Sequence, residues 1–407
     1  MELDAFTTVL LWGLLLGAVF GAVANKTNFC VMGAVSDMVN IGDLGRLRSW
    51  LLAIALGISA VAVLEAVSLI DMSLTADNET SNPPYRMPIF VWPRYLLGGF
   101  LFGIGMTLGS GCGNKTAVRL GAGNLKSIVV LLCIAAGAYA MLLTDAFYLL
   151  FFQWMQPLAI DFTRMDIESQ DLGALAAGLT GAGEPATWRW LLAALLSLLL
   201  LAWVFKSRAF RRDFDNLAGG LVIGLLIVGA WYVTAGPLGQ TLLEEVDFMD
   251  QRPFAVGAQS LTFIAPTAHA VQYVEQGFAM TYATFGLAVL MGVILGSFLY
   301  ALVRGEIRLE WFRRLDDFVN HVVGGLLMGV GGILAMGCTV GQGMSGTSTL
   351  ALGSFLASAS IVFGSALTMK FRYYRLLYGD ASSVATLITV LVDFRILPAR
   401  FRKLEAL

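Results

Sequence analysis

The sequence predicts an all-α polytopic membrane protein of about nine transmembrane helices plus re-entrant half-helices, arranged as two inverted, pseudo-symmetric repeats. Three observations predict it. Of the 407 residues, 57% are hydrophobic and 13% charged, far from the balance of a soluble domain. Several apolar runs reach the roughly 20 residues that cross a ~30 Å hydrocarbon layer. The run Gly98–Cys112 returns as Gly324–Cys338 at a constant offset (338 − 112 = 226), with 8 of 15 positions identical and both copies closing on Gly-Cys. A glycine-rich apolar run that stops at a thiol reads as a membrane helix breaking off, and two copies in one chain read as a duplicated transporter-like scaffold.

In order, span 1 is expected over about 7–25, with Gly13, Gly17 and Gly21 forming a close-packing face. It lacks a basic n-region and an obvious cleavage site, so it reads as a retained helix. Residues 31–37 after Cys30 are too short to cross and read as a half-helix. Span 2 follows at about 49–71, span 3 at 94–111 and span 4 at 127–150. A long connection, 151–187, leads to span 5 (188–206) and span 6 (217–236), which breaks at Gly236-Pro237. Within 237–277, Ser260–Thr267 reads as another half-helix. Spans 7, 8 and 9 follow at 278–303, 319–337 and 350–369, and the apolar piece 382–397 reads as short and re-entrant. The expected organisation is a first half over 1–187, a connector over 188–212 and a second half over 213–407.

Lys and Arg cluster in the loops 42–48, 113–126, 206–212, 304–314 and 370–375. Placing these in the cytoplasm satisfies nine spans, with the N-terminus outside and the C-terminus inside. Span 3 then runs inward and span 8 outward, so the duplication is inverted. Inverted repeats with broken helices place a site near the midplane, where unwound backbone lines a cavity.

The site candidates are thiols. Cys30, Cys112 and Cys338 each stand where an apolar helix gives way to small or polar residues, whereas Cys133 reads as a small buried hydrophobe. A buried cysteine is usually inert, and a repeated Gly-Cys is also what packing inherited from duplication would leave. Placement of three thiols at helix breaks favours a functional role. Thiols are polarizable weak donors, and half-helix N-termini offer free N–H groups, which suits a small anion with sulfur at one end and oxygens at the other. Asn28, Asn114, Thr339 and Gln342 stand near the thiols as candidate contacts to oxygens, or as partners for broken-helix backbone; Asn25, Ser36, Thr116 and Ser345 have the same two uses. Lys115 is the nearest base, and snorkelling to the cytoplasmic interface is the expected use of it. Glu65 lies toward the outer end of span 2, where an interfacial role suits it better than proton coupling. No CxxC, HExxH or nucleotide motif, no metal-ligand spacing and no basic patch for nucleic acid occurs, so no cofactor is expected. The competing class, a membrane thiol redox enzyme, lacks a visible cofactor anchor or thiolate-activating base.

These residues carry a resemblance. Asn28-Phe29-Cys30 with Gly33-Ala34, Gly111-Cys112-Gly113 and Gly337-Cys338-Thr339-Val340-Gly341 resemble the YeeE/YedE (sulphur transport) family of bacterial inner-membrane proteins, over about residues 10–370. The resemblance implies an hourglass-like, pseudo-two-fold fold and uptake of thiosulfate, passed between Cys30, Cys112 and Cys338 by transient S–H···S hydrogen bonds. It also implies a cytoplasmic sulfur-carrier or rhodanese-like partner. The loops 151–187 and 237–260 are longer than in compact members, and Lys26 and Asn28 stand where more strongly basic residues are expected. Sulfite, selenium species and persulfides stay open as cargo.

Overall fold

A computed structural model describes residues 4–249, 251–379 and 381–405. The chain runs through α1 (Ala5–Lys26), α2 (Val31–Asn40), α3 (Gly45–Ala66), α4 (Trp92–Leu108), α5 (Gly113–Gly121) and α6 (Lys126–Leu143). Then come α7 (Asp145–Phe151), α8 (Leu172–Thr180), α9 (Pro185–Phe205), α10 (Arg208–Arg212), α11 (Phe214–Ala235) and α12 (Pro237–Val246). The last elements are α13 (Ala265–Glu275), α14 (Phe285–Arg304), α15 (Leu315–Leu334), α16 (Leu352–Leu377) and α17 (Ser383–Asp393). Two two-residue strands, Ile89–Phe90 and Ile160–Asp161, pair antiparallel. Among the described residues, nine helical segments are long and apolar enough to cross a membrane. At 1.5 Å per residue the 22 residues of α1 span about 33 Å, enough for the hydrocarbon layer.

Glycines set the packing. A Cβ added to Gly17 would sit 2.2 Å from the Val289 carbonyl oxygen, and one on Gly21 would sit 2.1 Å from that of Val293. The α1 and α14 backbones therefore touch, and the rising register (17 with 289, 21 with 293) makes them parallel. The same reading makes α11 parallel to α3, because Gly220 meets Ser49 and Gly224 meets Ala53. Gly99 lies on Ala357 and Gly103 on Ile361, so α4 and α16 are parallel. Gly325 lies on Val130 and Gly329 on Ile134, so α15 and α6 are parallel too. At the centre α4 and α15 run antiparallel, with Gly98 against Ala335 and Gly105 against Gly324.

Several expected boundaries move. The half-helix expected over 260–267 starts only at Ala265, and residues 258–264 enter the core without helical structure. Pro266 explains this: it fits the first turn of a helix but not its interior, so the helix begins around it. Span 4 ends at Leu143, and a separate short helix, α7, follows. The connection 151–187 is not one loop. Asp171 caps α8 through Gly173 and Ala174 N–H groups at 2.9 and 3.0 Å, and 3₁₀ turns fill much of the remainder. Cys133 is only partly buried, with its Cβ on the Gly325 face of α15.

Candidate functional site

All four cysteines are free, and Cys30, Cys112 and Cys338 are buried. Each stands at a helix break built in the same way. The residue two positions earlier adopts the left-handed conformation: Asn28 at φ 52°, Ser110 at 58° and Met336 at 61°. The turn is then closed for α4 by Gly111 N–H to Met106 O at 2.9 Å, and for α15 by Gly337 N–H to Gly332 O at 2.7 Å. These are the six-to-one bonds with which a left-handed residue ends a helix. After the cysteine the chain turns helical again, as α2, as α5, or as the π-helical turn Gly341–Gly346.

A new helix start exposes N–H groups, and here they face sulfur. Gly33 N–H donates to Cys30 Sγ at 3.3 Å and Gly341 N–H to Cys338 Sγ at 3.4 Å, both three residues downstream. Cys112 differs: its sulfur accepts no such cap bond and instead donates to Asn114 Oδ1. At Cys338 the N–H groups of Val340 and Phe263 also converge on the sulfur. Such a cluster of backbone donors is an anion-favouring concavity that needs no buried base. Cys112 lies within electrostatic reach of both Cys30 and Cys338, so the three breaks meet around one centre.

The polar candidates divide. The Cys112 thiol donates to Asn114 Oδ1, while Asn114 Nδ2 is buried with no partner. The Thr339 hydroxyl lies beside the Cys112 thiol without a well-formed hydrogen bond to any group. Two orphan donors thus flank one sulfur. An unsatisfied buried polar group costs about 1–3 kcal/mol, so such a pair marks a place where a ligand's acceptors belong. Gln342 is used differently: its Nε2 donates to Ala335 O at 2.6 Å, and its amide oxygen is left unpartnered. Of its two expected uses it takes the second, a partner for broken-helix backbone at the end of α15, and it leaves an acceptor free. Lys115 does not snorkel freely to solvent. It is buried at 9% exposure, and its ammonium ends on Asn28 Oδ1 at 2.5 Å, within electrostatic reach of Cys30 and Cys112. Arg46, paired with Asp37, lies over Gly33 on the same side of Cys30. Asn25 bonds Ser297 between α1 and α14, Ser36 accepts from Asn40, Thr116 donates to the Cys112 carbonyl, and Ser345 donates to Leu261 O at 2.8 Å.

The sequence marks Ser260–Thr267 as a half-helix but gives Phe263 and Ile264 no part in the site. Phe263 packs tilted against Phe20 with ring centroids 5.3 Å apart, and Ile264 packs on both Gly113 and Gly332. These apolar side chains fill the centre between the thiols. Tyr85, also unforeseen, donates to Gly341 O at 2.8 Å and braces the π-helical turn.

Two cavities approach this centre from opposite ends of the antiparallel α4–α15 pair. One, of about 340 Å³, is lined by Arg94, Tyr95, Thr262, Met336 and Gly337 and so ends beside Cys338. The other, of about 410 Å³, is lined by Gly109, Ser110, Thr116, Arg119, Asp317 and His321 at the far end. A nine-helix membrane scaffold with cavities converging on broken helices and buried donors is the build of a small-solute transporter.

The chain belongs to the family described as sulphur transport, which it matches over residues 26–367. It is 25% identical over 368 residues to the thiosulfate transporter TsuA of Spirochaeta thermophila, covering 90% of this chain and all of that protein. To the thiosulfate transporter TsuA of Escherichia coli it is 24% identical over 377 residues, covering 88% of this chain and 93% of the other.

Proposed function

We propose that this protein imports thiosulfate across a bacterial inner membrane, handing the ion between Cys338, Cys112 and Cys30. The observation that carries the reading is the construction at the centre: three buried thiols, each at a helix break, two of them bonded by the N–H group three residues on and the third flanked by the unpaired Asn114 amide. Thiosulfate has a soft terminal sulfur to accept S–H donation and three oxygens to accept N–H donation. Backbone donors hold such an ion without the charge of a buried base, which would slow its release. Asn114 Nδ2 and Thr339 Oγ1 supply unpaired donors at the middle thiol, and Lys115 with Asn28 stands on the Cys30 side.

The same reading takes the cavity at Arg94 as the outer one, with the N-terminus outside, the C-terminus inside and the halves 1–187 and 213–407 as inverted repeats about the connector. Support comes from reciprocal packing: α4 with α16 and α15 with α6, α1 with α14 and α11 with α3, every pair parallel. A cytoplasmic sulfur-carrier or rhodanese-like protein takes the ion on release, as the family resemblance implies. The test is uptake of sulfur-labelled thiosulfate by cells lacking other importers, for wild type, Cys112→Ser and Cys338→Ser at matched membrane abundance. The reading expects near-complete loss in both variants. Wild-type cells that take up no thiosulfate would reject it and leave sulfite, selenium species or persulfides as cargo. Full uptake by both variants would reject the relay.

A further inference from the structure

A broken span presents its carbonyl end to whatever approaches it. At the end of α15 the Gly331, Gly332 and Ile333 carbonyls accept backbone N–H groups, which leaves the Leu334 carbonyl as the open acceptor at the negative end of the helix dipole. Leu334 and Ile333 lie four and five residues before Cys338, where an incoming anion would be repelled by an open carbonyl. Arg94 meets it: Nε donates to Leu334 O at 2.8 Å and Nη2 to Ile333 O at 3.5 Å. The guanidinium is held flat by the Phe152 ring, 4.7 Å from its centroid. Arg94 is also the one charged side chain lining the 340 Å³ cavity, and among the described residues it has no carboxylate partner. At the break after α4 a different arginine meets a carbonyl two residues past the helix end: Arg119 Nη1 donates to Ser110 O at 2.5 Å and lines the 410 Å³ cavity. Two of the three breaks therefore have a carbonyl near the cysteine held by an arginine that lines a cavity.

We propose that Arg94 is the charge-selecting residue of the cavity leading to Cys338, cancelling the carbonyl end of α15 and drawing a divalent anion toward the thiol. It acts through charge and position and forms no bond that must break in transport. The proposal rests on the anion-transport reading above.

The experiment uses the full-length protein in proteoliposomes, with thiosulfate uptake and equilibrium thiosulfate binding measured for wild type, Arg94→Gln and Arg94→Lys. The expected result is a KM and Kd raised about tenfold in Arg94→Gln, with Vmax within about twofold of wild type and most of the loss recovered in Arg94→Lys. The KM of the wild type should rise with ionic strength, and that of Arg94→Gln should rise less. Unchanged KM and Kd in Arg94→Gln would overturn the proposal, as would a fall confined to Vmax, the mark of a purely structural cap. Where Arg94→Gln does not fold, Arg94→Lys and the salt dependence of the wild type decide: a wild-type KM insensitive to salt overturns it. Wild type that binds thiosulfate without moving it rejects the transport reading, and Arg94 is then judged on Kd. Wild type that binds none overturns both.

Discussion

Asn114 is where the residue-scale chemistry is sharpest. Its side chain is fully buried, its oxygen accepts from the Cys112 thiol, and its amide nitrogen has nothing to bond. Replacement by alanine removes an unsatisfied donor from the core, so Asn114→Ala should leave thermal stability within about 1 kcal/mol of wild type while uptake falls. Asn114→Asp keeps the shape and the thiol's acceptor but puts a carboxylate in the anion's path. Uptake should drop at least about tenfold, more than in the alanine variant, because like charge repels in a site shielded from water. Initial uptake rates paired with thermal unfolding of the purified variants check both. Equal rates in wild type and Asn114→Ala would remove Asn114 from the pathway. Cys112 and Cys338 were legible because Gly-Cys at the end of an apolar run is a local pattern, and Cys30 because polar residues flank it where an apolar run stops. Phe263 and Ile264 were not, since two apolar residues in an aperiodic stretch carry no mark of a central position. Nor were the left-handed residues: Ser110 and Met336 share a backbone conformation, not a chemistry.

At the scale of elements, helix contact is governed by how little stands between backbones. Along α1 the three glycines face α14 at graded clearance. A Cβ on Gly13 meets the Phe285 ring at 3.0 Å, whereas on Gly17 and Gly21 it meets backbone oxygen at 2.2 and 2.1 Å. A ring can turn aside and a backbone carbonyl cannot. Overpacking costs typically about 1–3 kcal/mol, so Gly17→Ala and Gly21→Ala should each destabilise within or above that range, and Gly13→Ala distinctly less. Thermal unfolding of the detergent-solubilised protein ranks them, and a Gly13→Ala variant as damaged as Gly21→Ala would contradict the register of this pair. The four-residue spacing of these glycines made the face visible in the sequence, but its partner was not, because the matching glycines of α14 lie more than 270 residues away. Span existence was readable from hydropathy throughout. Boundaries failed where local capping decides them, as with Asp171 starting α8 inside an expected loop and Pro266 delaying α13.

Over the whole molecule, a charge network joins segments distant in sequence. Glu65 at the end of α3, expected as an interfacial acid, receives both terminal nitrogens of Arg86 at 2.7 and 2.9 Å. Arg86 also donates to Thr349 O at 3.0 Å, and Arg189 of α9 binds Asp171 at 2.9 and 3.0 Å. Four charges sum to zero, so the buried set is compensated as a group, and removing one leaves its partner stranded at a cost of about 3–5 kcal/mol. Burial alone would push the Asp171 carboxyl up, but Arg86 and Arg189 outweigh it and hold it below the usual carboxylate range. A carboxyl whose folded value is depressed stabilises fully above its unfolded value, about 3.9, and that contribution is lost as pH falls through the lower folded value. Asp171→Asn should therefore lower the unfolding temperature across pH 5 to 8. Below about pH 4 the gap to wild type should narrow, since the wild-type carboxyl is then being protonated and approaches the amide in charge. A pH series of unfolding temperatures on the two proteins reads this directly. A gap that stays constant down to pH 3 would mean that Asp171 acts through its α8 cap and packing, with its charge contributing nothing. Because Arg86 follows Tyr85, whose hydroxyl braces the π-helical turn beside Cys338, loosening this network should also slow uptake, joining its stability to the geometry of the neighbouring thiol.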